Sequence, residues 1–576
     1  MTRAGGRVGE PPAQTAPRWY ARKPSLAQGR GRTLKAALLN SRRDTVLRVV
    51  AHLAAWLPFI AGAVRLIQHG WRPLGDEAVI SLRSWSVFTS HAPLVGQATR
   101  LAHGVFDPGP LEYWLLAIPV RLDNMHGVLW GGALCCMAAA SLAIEAAWSV
   151  RGPIGGLGAS AIVLGLVLWL PGVAVPASWN PWFGMMFFLA ALAAGWAVLT
   201  GRRAWWPVLL VCGSIATQAH LMFAIPSAIL ILLGLAVGVA DTVRGRPGYR
   251  WLIIGVVAGV ACWIAPLIQQ FTSPHGNLAA LLRSSGGSSG VPRTGLGFGF
   301  KALTSATEPV PLWWRPAPVI YSTSPYHAIS LRAAWFGAAV LVLVAVSMVA
   351  AIGPLRSRRL AALAAVTLVL NAGALLTYSS IPVHNTSERT LSYLIVLLLP
   401  IGVLSWLVIG SCAVLAVRRA RAQARAGAPG QTGQQASGPG QLARWAAAGI
   451  AVAAVLAVAL SLGSVAGQTA TAHNAVTDTG IRPDSLATQQ IVRALPGQPI
   501  AISVHAADTA MAGRLTIGLI WALTPYGFRA EVLQSRLARE LGDRYVYHGQ
   551  HIPRVDVRVG RGGSTTIRVR KAARAA

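Results

Sequence analysis

Long apolar segments recur along the chain and are separated by short runs of arginine, proline and polar residues. A helix needs about 20 apolar residues to cross the hydrocarbon core of a bilayer. Segments of that kind, each predicting one span, lie at 46–68, 127–149, 153–171, 182–200, 251–270, 333–353, 360–378, 390–417 and 443–466. The stretch 205–240 is about twice as long as one span. Because Gln218 and His220 interrupt its middle, we predict two short spans that turn near His220.

The positions of the arginines predict how these spans are oriented. Arginine clusters lie in the N-terminal tail and at Arg151, Arg202–Arg203, Arg244–Arg250, Arg356–Arg359 and Arg418–Arg425. With eleven spans and the N-terminus inside, every cluster faces the cytoplasm, as the positive-inside rule requires. A single span over 205–240 would put half of the clusters outside, so eleven is the better count.

Composition agrees with a membrane protein and argues against a nucleic-acid-binding protein. Apolar residues make up 54% of the chain and charged residues 12%, which is typical of the membrane class. The net charge of +32 comes from arginines between apolar segments and in the tails, as in loops that face anionic lipid. The five cysteines lie within apolar segments without metal-ligand spacing, so we interpret them as small buried hydrophobic residues.

The same pattern divides the chain into parts of different composition. They are a basic tail 1–45, a transmembrane domain 46–418 with outer loops 71–125 and 271–331, a cytoplasmic linker 419–442, a last span 443–466 and an extracytoplasmic domain 467–576. The tail lacks an apolar core and is predicted to be disordered and cytoplasmic. In the last part, an apolar run at 499–504, a helical pattern at 509–523 and an alternating run at 554–559 predict a small α/β domain.

Acidic residues are scarce in the membrane part, and five of them fall in the first outer loop. They are Asp76, Glu77, Asp107, Glu112 and Asp123. Because desolvating a carboxylate at a membrane surface is costly, such residues indicate a functional site. The apolar piece 111–122 of this loop is too short to cross the bilayer, so we predict an interfacial or re-entrant helix.

The segment Gly75-Asp76-Glu77 follows directly after the first predicted span. Glycine permits a tight turn, and two adjacent carboxylates titrate as a coupled pair. Such a pair can take a proton from a hydroxyl nucleophile or hold a divalent cation such as Mg²⁺ or Mn²⁺. The alternative is structural, with Asp76 as the N-cap of the next helix.

Two segments of the loop together resemble a known family. Gly75-Asp76-Glu77-Ala78 is followed by Pro108-Gly109-Pro110-Leu111-Glu112-Tyr113-Trp114. They resemble the first outer loop of the GT-C glycosyltransferases, closest to the branch of protein mannosyltransferases and lipid A aminoarabinose transferases. In that superfamily the acidic residue or pair is catalytic, and a Pro-Pro-Leu-Tyr-Tyr-Trp-type segment closes the loop. Gly109 replaces the first proline of the usual pair, and Asp107 stands near a position that is often basic, which leaves the donor-contacting role of this corner open.

The resemblance implies a GT-C-like helical membrane fold and an inverting glycosyltransferase. The donor would be a sugar on a polyprenyl phosphate, and Asp76, paired with Glu77, would take the proton of the acceptor hydroxyl. Pro110, Glu112 and Tyr113, together with Trp114, would line the substrate site.

Transfer from a phosphate needs a cation for the developing negative charge. Arg389 begins a predicted span at the outer surface and Tyr393 lies one helical turn below it, so we expect this pair to bind the donor phosphate. Lys301 and Arg315 in loop 271–331 are further candidates. The alternatives are an arginine that snorkels to the interface at 389 and solvated loop charges at 301 and 315.

Two polar residues elsewhere are weaker candidates for the substrate site. His220, at the predicted outer turn, is placed to touch donor or acceptor, or it is an ordinary polar turn residue. Asn180 lies between Trp179 and Trp182, which would stack on a sugar, although a turn within an aromatic belt explains this pattern equally well.

The sequence thus predicts a glycosyltransferase of a bacterial plasma membrane that acts outside the cytoplasm. Its acceptor would be a glycan, lipid or protein of the cell envelope, and no cofactor beyond a divalent cation is indicated. The alternatives are a transporter or flippase for a lipid-linked precursor and a non-catalytic envelope scaffold. A coupled transporter would carry ionisable residues deep within its spans.

Overall fold

A computed structural model describes most of the chain in separate ranges. They are 26–99, 105–169, 178–246, 248–285, 292–307, 331–383, 395–426, 482–495, 497, 499–506, 509–534, 537–538, 541–549, 551–560 and 564–570. The predicted last span 443–466 and the candidate residues Arg315, Arg389 and Tyr393 lie outside these ranges.

The membrane part is built of α-helices. They are α1 (Leu26–Gln68), α2 (Asp76–Ser86), α3 (Leu111–Leu122), α4 (Gly127–Arg151), α5 (Pro153–Trp169), α6 (Asn180–Leu199), α7 (Trp206–Ala219), α8 (Ala224–Val243), α9 (Tyr249–Cys262), α10 (Ile264–Thr272), α11 (Asn277–Ser285), α12 (Gly295–Ser305), α13 (Leu331–Ile352), α14 (Arg358–Ser379) and α15 (Ile395–Ala426). Within the described ranges, 7 helices are long and apolar enough to cross a membrane, or 8 if the bent pair α9 and α10 is one span. The chain is therefore a multi-pass membrane protein, while the count of eleven spans stays a prediction.

The stretch 205–240 is divided at His220, as its polar residues predict. α7 ends at Ala219, one 3₁₀ turn covers Leu221–Phe223, and α8 follows. The backbone of His220 is extended, and its Nδ1 accepts a hydrogen bond from the backbone N–H of Met222 at 3.2 Å. The histidine side chain therefore caps this turn, which favours the turn interpretation of this residue.

Two helices extend into segments that the sequence pattern assigns to a tail and a linker. α1 begins at Leu26, within the tail 1–45, where residues 33–40, with alanine, leucine and lysine, are good helix formers. α15 continues to Ala426, into the linker 419–442, since alanine and arginine are also good helix formers. The domain bounds themselves stay predictions.

Helix α3 has the surface pattern of an interfacial helix. It buries Glu112, Tyr113 and Leu116 and exposes large apolar side chains on another face. These are Trp114, Leu115, Ile118 and Leu122. A short helix with such a face lies in the headgroup region of a bilayer, which agrees with the prediction for 111–122.

The C-terminal residues form a mixed sheet with two helices, here named the C-terminal layer (482–570). Its elements are α16 (Arg482–Ala494), α17 (Thr509–Leu523), β1 (Pro499–His505), β2 (Arg529–Val532), β3 (Arg554–Val559) and β4 (Thr565–Arg570). The strand order is β2-β1-β3-β4, with β1 parallel to both neighbours and β4 antiparallel to β3. β1, α17 and β3 coincide with the three segments that the sequence pattern predicts.

The C-terminal layer packs directly on the first loop. Gly518 leaves room for Leu74, because a Cβ on this glycine would lie 2.4 Å from Leu74 Cδ2. Trp85 of α2 and Trp521 of α17 meet edge to face, with ring centroids 6.1 Å apart. Arg83 also donates a hydrogen bond across this contact to the Leu541 carbonyl at 3.4 Å. Helix α2 is therefore fixed between the membrane helices and the C-terminal layer.

We predict that Asp484→Asn changes how stability depends on pH. Asp484 is buried at this contact, and burial raises its pKa from 3.8 to about 8, against the lowering effect of Arg72. The folded chain therefore holds a proton that the unfolded chain releases above its own lower pKa, so stability falls as pH rises from about 4 to about 8. Asparagine abolishes this loss, which we expect to amount to about 1–3 kcal/mol.

Thermal unfolding of the full chain in detergent at pH 6 and pH 8.5 measures this effect. Asp556→Asn is the matched control, because Asp556 forms an ion pair with the exposed Arg570 at 3.3 Å and ion pairs at the surface contribute little to stability. Equal pH dependence in wild type and Asp484→Asn would contradict the assignment.

Candidate functional site

Asp76 is the first residue of α2, and its carboxylate does not cap this helix. The N-cap is Gly75, which has a φ of 59° and makes no side-chain capping bond, so the structural alternative for Asp76 is wrong. Instead, Asp76 Oδ1 accepts a hydrogen bond from Gln97 Nε2 at 2.8 Å. The bond fixes the orientation of the carboxylate at a helix N-terminus, where negative charge is favoured.

Gln97 is held in place by a short antiparallel pairing within the loop. The backbone N–H of Gly96 donates to the Asp107 carbonyl at 2.9 Å, and the N–H of Asp107 donates to the Gln97 carbonyl at 2.7 Å. An isolated bridge between Ala98 and Phe106 continues the pairing. This ladder therefore couples the position of Asp76 to that of Asp107.

Asp107 ties the loop to the membrane helices. It is 1% exposed and accepts hydrogen bonds from the Leu221 N–H at 2.9 Å and from Asn180 Nδ2 at 3.5 Å. Asn180 also donates to the Ala219 carbonyl at 3.1 Å. Burial raises the pKa of Asp107 well above its usual range, and these hydrogen bonds act in the opposite direction. Asn180 is thus a buried partner of Asp107 and not a residue of an open aromatic belt.

Glu112 lies in the same buried region, but one of its carboxyl oxygens lacks a hydrogen-bond partner. The residue is 4% exposed, and its Oε1 has no hydrogen-bond partner among the described residues. Burial, followed by the charges of Asp107 and Asp76, raises the pKa of Glu112 well above its usual range. The shift favours the protonated form of this side chain, whose O–H is a hydrogen-bond donor.

Glu77 is the one carboxyl of the site with a pKa near neutrality. Burial and then the charge of Asp76 raise this pKa from 4.5 to about 7, while Arg514 lowers it. Near pH 7 Glu77 therefore exchanges a proton readily beside the Asp76 carboxylate.

The cation beside this pair comes from the C-terminal layer. Arg514 lies on α17, and its side chain packs against the backbone of Gly75. A Cβ on this glycine would lie 3.1 Å from Arg514 Nε and 3.2 Å from its Cγ. The side chain of Arg514 is exposed. Sequence reasoning missed this residue, since no local pattern joins α17 to Gly75.

The predicted substrate-lining residues of α3 do not all face the same way. Pro110 and Tyr113 are buried like Glu112, and Arg83 stacks over the Tyr113 ring at 5.9 Å from its centroid. Trp114 is 46% exposed and donates its Nε1–H to the Pro93 carbonyl at 3.2 Å. Tryptophan at this position therefore belongs to the membrane-facing surface of the helix.

Lys301 is the one candidate for donor-phosphate binding that the structure describes. It lies on α12 with an exposed side chain, and no described polar contact joins it to Asp76 or Glu77. The alternative, that Lys301 is a solvated charge at the surface, is therefore favoured over donor binding. Arg389, Tyr393 and Arg315 stay predictions.

Gly109, the departure from the family pattern, fits a crowded position. A Cβ there would lie 2.1 Å from Gln218 Oε1 and 2.7 Å from Pro266 Cγ. Gln218 is itself held by a hydrogen bond from its Nε2 to the Cys262 carbonyl at 2.7 Å. A proline at position 109 would therefore collide with α7 and α10, which explains why glycine stands here.

No group of three or more His, Cys, Asp or Glu side chains with metal-binding geometry occurs among the residues that the structure describes. Asp76 and Glu77 contribute two carboxylates, and whether they bind Mg²⁺ or Mn²⁺ stays a prediction.

The chain is similar in structure to a known membrane enzyme. A crystal structure of ArnT from Cupriavidus metallidurans bound to undecaprenyl phosphate matches with 16% identity and a TM-score of 0.46, over 89% of this chain and 93% of that chain. The apo state of the same protein matches with 18% identity and a TM-score of 0.43, over 93% of this chain and 94% of that chain. ArnT is a GT-C glycosyltransferase, the family that the first loop resembles. No family model and no curated protein matches the sequence.

We predict that Gly109→Ala destabilises the protein by about 1–3 kcal/mol, because overpacking a filled site forces its neighbours to shift. Gln218→Ala removes the nearest of these neighbours, so the double variant is expected to lose less stability than the sum of the two single variants. Thermal unfolding in detergent measures both.

Gly410→Ala is the control for Gly109→Ala, because no heavy atom lies within 4 Å of a Cβ at this position. If Gly109→Ala unfolds at the wild-type temperature, the loop does not pack against α7 as described.

Proposed function

We propose that this protein is a membrane glycosyltransferase of the GT-C type that transfers a sugar from a polyprenyl phosphate to a hydroxyl acceptor outside the cytoplasm, with inversion. The observation that carries the proposal is the carboxylate of Asp76, oriented by Gln97 and followed by Glu77, whose pKa is raised to about 7, in a loop that also buries the acid Glu112. Acids with raised pKa values beside a partly exposed carboxylate are typical of catalytic sites.

The proposed reaction uses Asp76 as a general base. The acceptor hydroxyl loses its proton to the Asp76 carboxylate as its oxygen bonds to the anomeric carbon. The bond from that carbon to the phosphate oxygen breaks, and its electron pair leaves with the polyprenyl phosphate. Attack from the face opposite to the leaving group inverts the configuration. Glu112, whose buried Oε1 has no hydrogen-bond partner among the described residues, hydrogen-bonds the sugar or acceptor.

Arg514 is the described residue best placed to stabilise the leaving phosphate. Its guanidinium is exposed and lies next to Gly75 and Glu77. A guanidinium forms charge-assisted bonds to two phosphate oxygens at once, which a lysine cannot do. Arg389, with Tyr393 beside it, is proposed as a second group that binds the donor phosphate. Binding of Mg²⁺ or Mn²⁺ by Asp76 and Glu77 is also part of the proposal, and activity measured with and without a chelator tests it.

The position of the site supports a lipid-linked donor. Helix α3 carries Glu112 on its buried face and Ile118 and Leu122 on its exposed apolar face. A donor whose polyprenyl chain stays in the bilayer would place its phosphate at the depth of the headgroups, beside this helix. Water-soluble sugar donors would gain nothing from that surface.

The transporter alternative finds less support in the described spans. Glu145 of α4 forms ion pairs with Arg48 at 3.4 Å and with His52 at 3.1 Å, close to the arginine-bearing end of that helix. Such a pairing neutralises the carboxylate structurally, whereas coupled transport needs ionisable groups near the middle of the membrane.

We predict that Asp76→Asn abolishes transfer, with a loss of at least about 100-fold in turnover, because the general base is removed. The assay uses purified protein in detergent with a panel of radiolabelled polyprenyl-phosphate sugars. Asp556→Asn, in the ion pair with the exposed Arg570 of the C-terminal layer, is the control and keeps wild-type activity. Full activity of a folded Asp76→Asn variant would overturn the mechanism.

We predict that Arg514→Gln lowers kcat/KM about 10- to 100-fold, the range expected for one charge-assisted hydrogen bond. Because Arg514 lowers the pKa of Glu77, its removal raises this pKa, so that the step of the pH–rate profile that reports the protonation of Glu77 moves to higher pH. Arg529→Gln, an exposed arginine of β2, is the matched control. An unchanged pH profile with normal kcat/KM would remove Arg514 from the site.

A further inference from the structure

A cavity lies at the end of the helix bundle remote from Asp76. Helix α4 begins at Gly127, which contacts Pro119 of α3, and it ends at Arg151, which lines the cavity. Since an α-helix rises about 1.5 Å per residue, the 25 residues of α4 separate the two ends by about 37 Å. The cavity therefore belongs to the opposite membrane surface and not to the candidate site.

The walls of this cavity are apolar and open towards lipid. It has a volume of about 480 Å³ between α4, α5, α6, α14 and α15, which is the size of a ligand pocket. Exposed apolar side chains stand among its lining residues, including Ile154, Leu407 and Val414. Two lining glycines, Gly158 and Gly410, have no heavy atom within 4 Å of a Cβ position. Hydrocarbon can therefore enter between the helices without displacing side chains.

Three arginines also line this cavity, namely Arg151, Arg359 and Arg418. The charges of Arg359 and Arg418 act directly on Arg151, so the three guanidiniums repel one another. Like charges gathered beside an apolar wall are stabilised by a bound anion.

The nearby carboxylates do not provide that anion. Glu145 pairs with Arg48 and His52. At the end of α8, Asp241 pairs with Arg203 at 2.9 Å and Arg246 at 2.7 Å. Within the described part of the chain, no carboxylate lies at ion-pair distance from the three arginines of the cavity.

We propose that this cavity binds an anionic phospholipid of the leaflet opposite to the candidate site, with its phosphate among Arg151, Arg359 and Arg418 and an acyl chain between the helices. A free phosphate ion would leave the apolar walls unused, and a zwitterionic lipid would add an ammonium group to a cluster that is already positive. This assignment does not depend on the proposed function.

Native mass spectrometry of the full chain, released from detergent with added lipid, tests the arginine part of the site. Wild type is expected to retain phosphatidylglycerol and not phosphatidylcholine, and inorganic phosphate should not displace the lipid. The triple variant R151Q/R359Q/R418Q is expected to bind phosphatidylglycerol at least about tenfold more weakly. The matched control, R244Q/R250Q/R421Q, removes the same charge from exposed arginines that do not line the cavity and keeps wild-type binding.

Variants that fill the apolar part of the cavity test whether an acyl chain binds there, and they leave the three arginines unchanged. G158L/G410L places two side chains into open space and is expected to reduce retention of phosphatidylglycerol. The control G165L changes a glycine of α5 that is equally free of neighbours and does not line the cavity.

Three results would overturn the proposal. They are equal retention of both phospholipids by wild type, unchanged retention in G158L/G410L, and preferential retention of a polyprenyl phosphate over phosphatidylglycerol.

Discussion

The buried carboxylate of Asp107 is the interaction on which the first loop depends. It receives the Leu221 N–H and the Asn180 amide, and so it joins the loop to the turn between α7 and α8 and to the start of α6. Its backbone pairs with Gln97, whose side chain orients Asp76. Because a buried carboxylate is tolerated only when donors surround it, this one group fixes the register of the loop over the bundle.

The second constraint is the separation of charge between the two ends of the bundle. Acidic residues gather at the loop end, where burial raises the pKa of Glu112 and Asp107. Arginines gather at the other end, around Arg151. Each end therefore has its own charge, with carboxyl groups at the loop end and guanidinium groups at the other, and basic residues at one end favour a defined position in an anionic membrane.

Local patterns predicted the elements, and long-range contacts decided the site. The break at His220 and the elements β1, α17 and β3 follow from apolar periodicity and polar interruptions, which are local properties. The start of α1 at Leu26 and the end of α15 at Ala426 lie outside the predicted spans, because helix propensity extends a helix beyond its apolar part. The approach of Arg514 to Gly75 depends on how the C-terminal layer packs on α2, and no spacing in the sequence reveals it.

The two departures from the family pattern have one physical explanation. Asp107 stands near a position that is often basic in the resembling family, and it accepts hydrogen bonds from the Leu221 N–H and the Asn180 amide rather than pairing with a described cation. Gly109 lets the loop approach Gln218 closely. In the described part of the chain, Arg514 of the C-terminal layer lies beside Glu77, so a cation reaches the Asp76–Glu77 pair from the C-terminal layer and not from this corner of the loop.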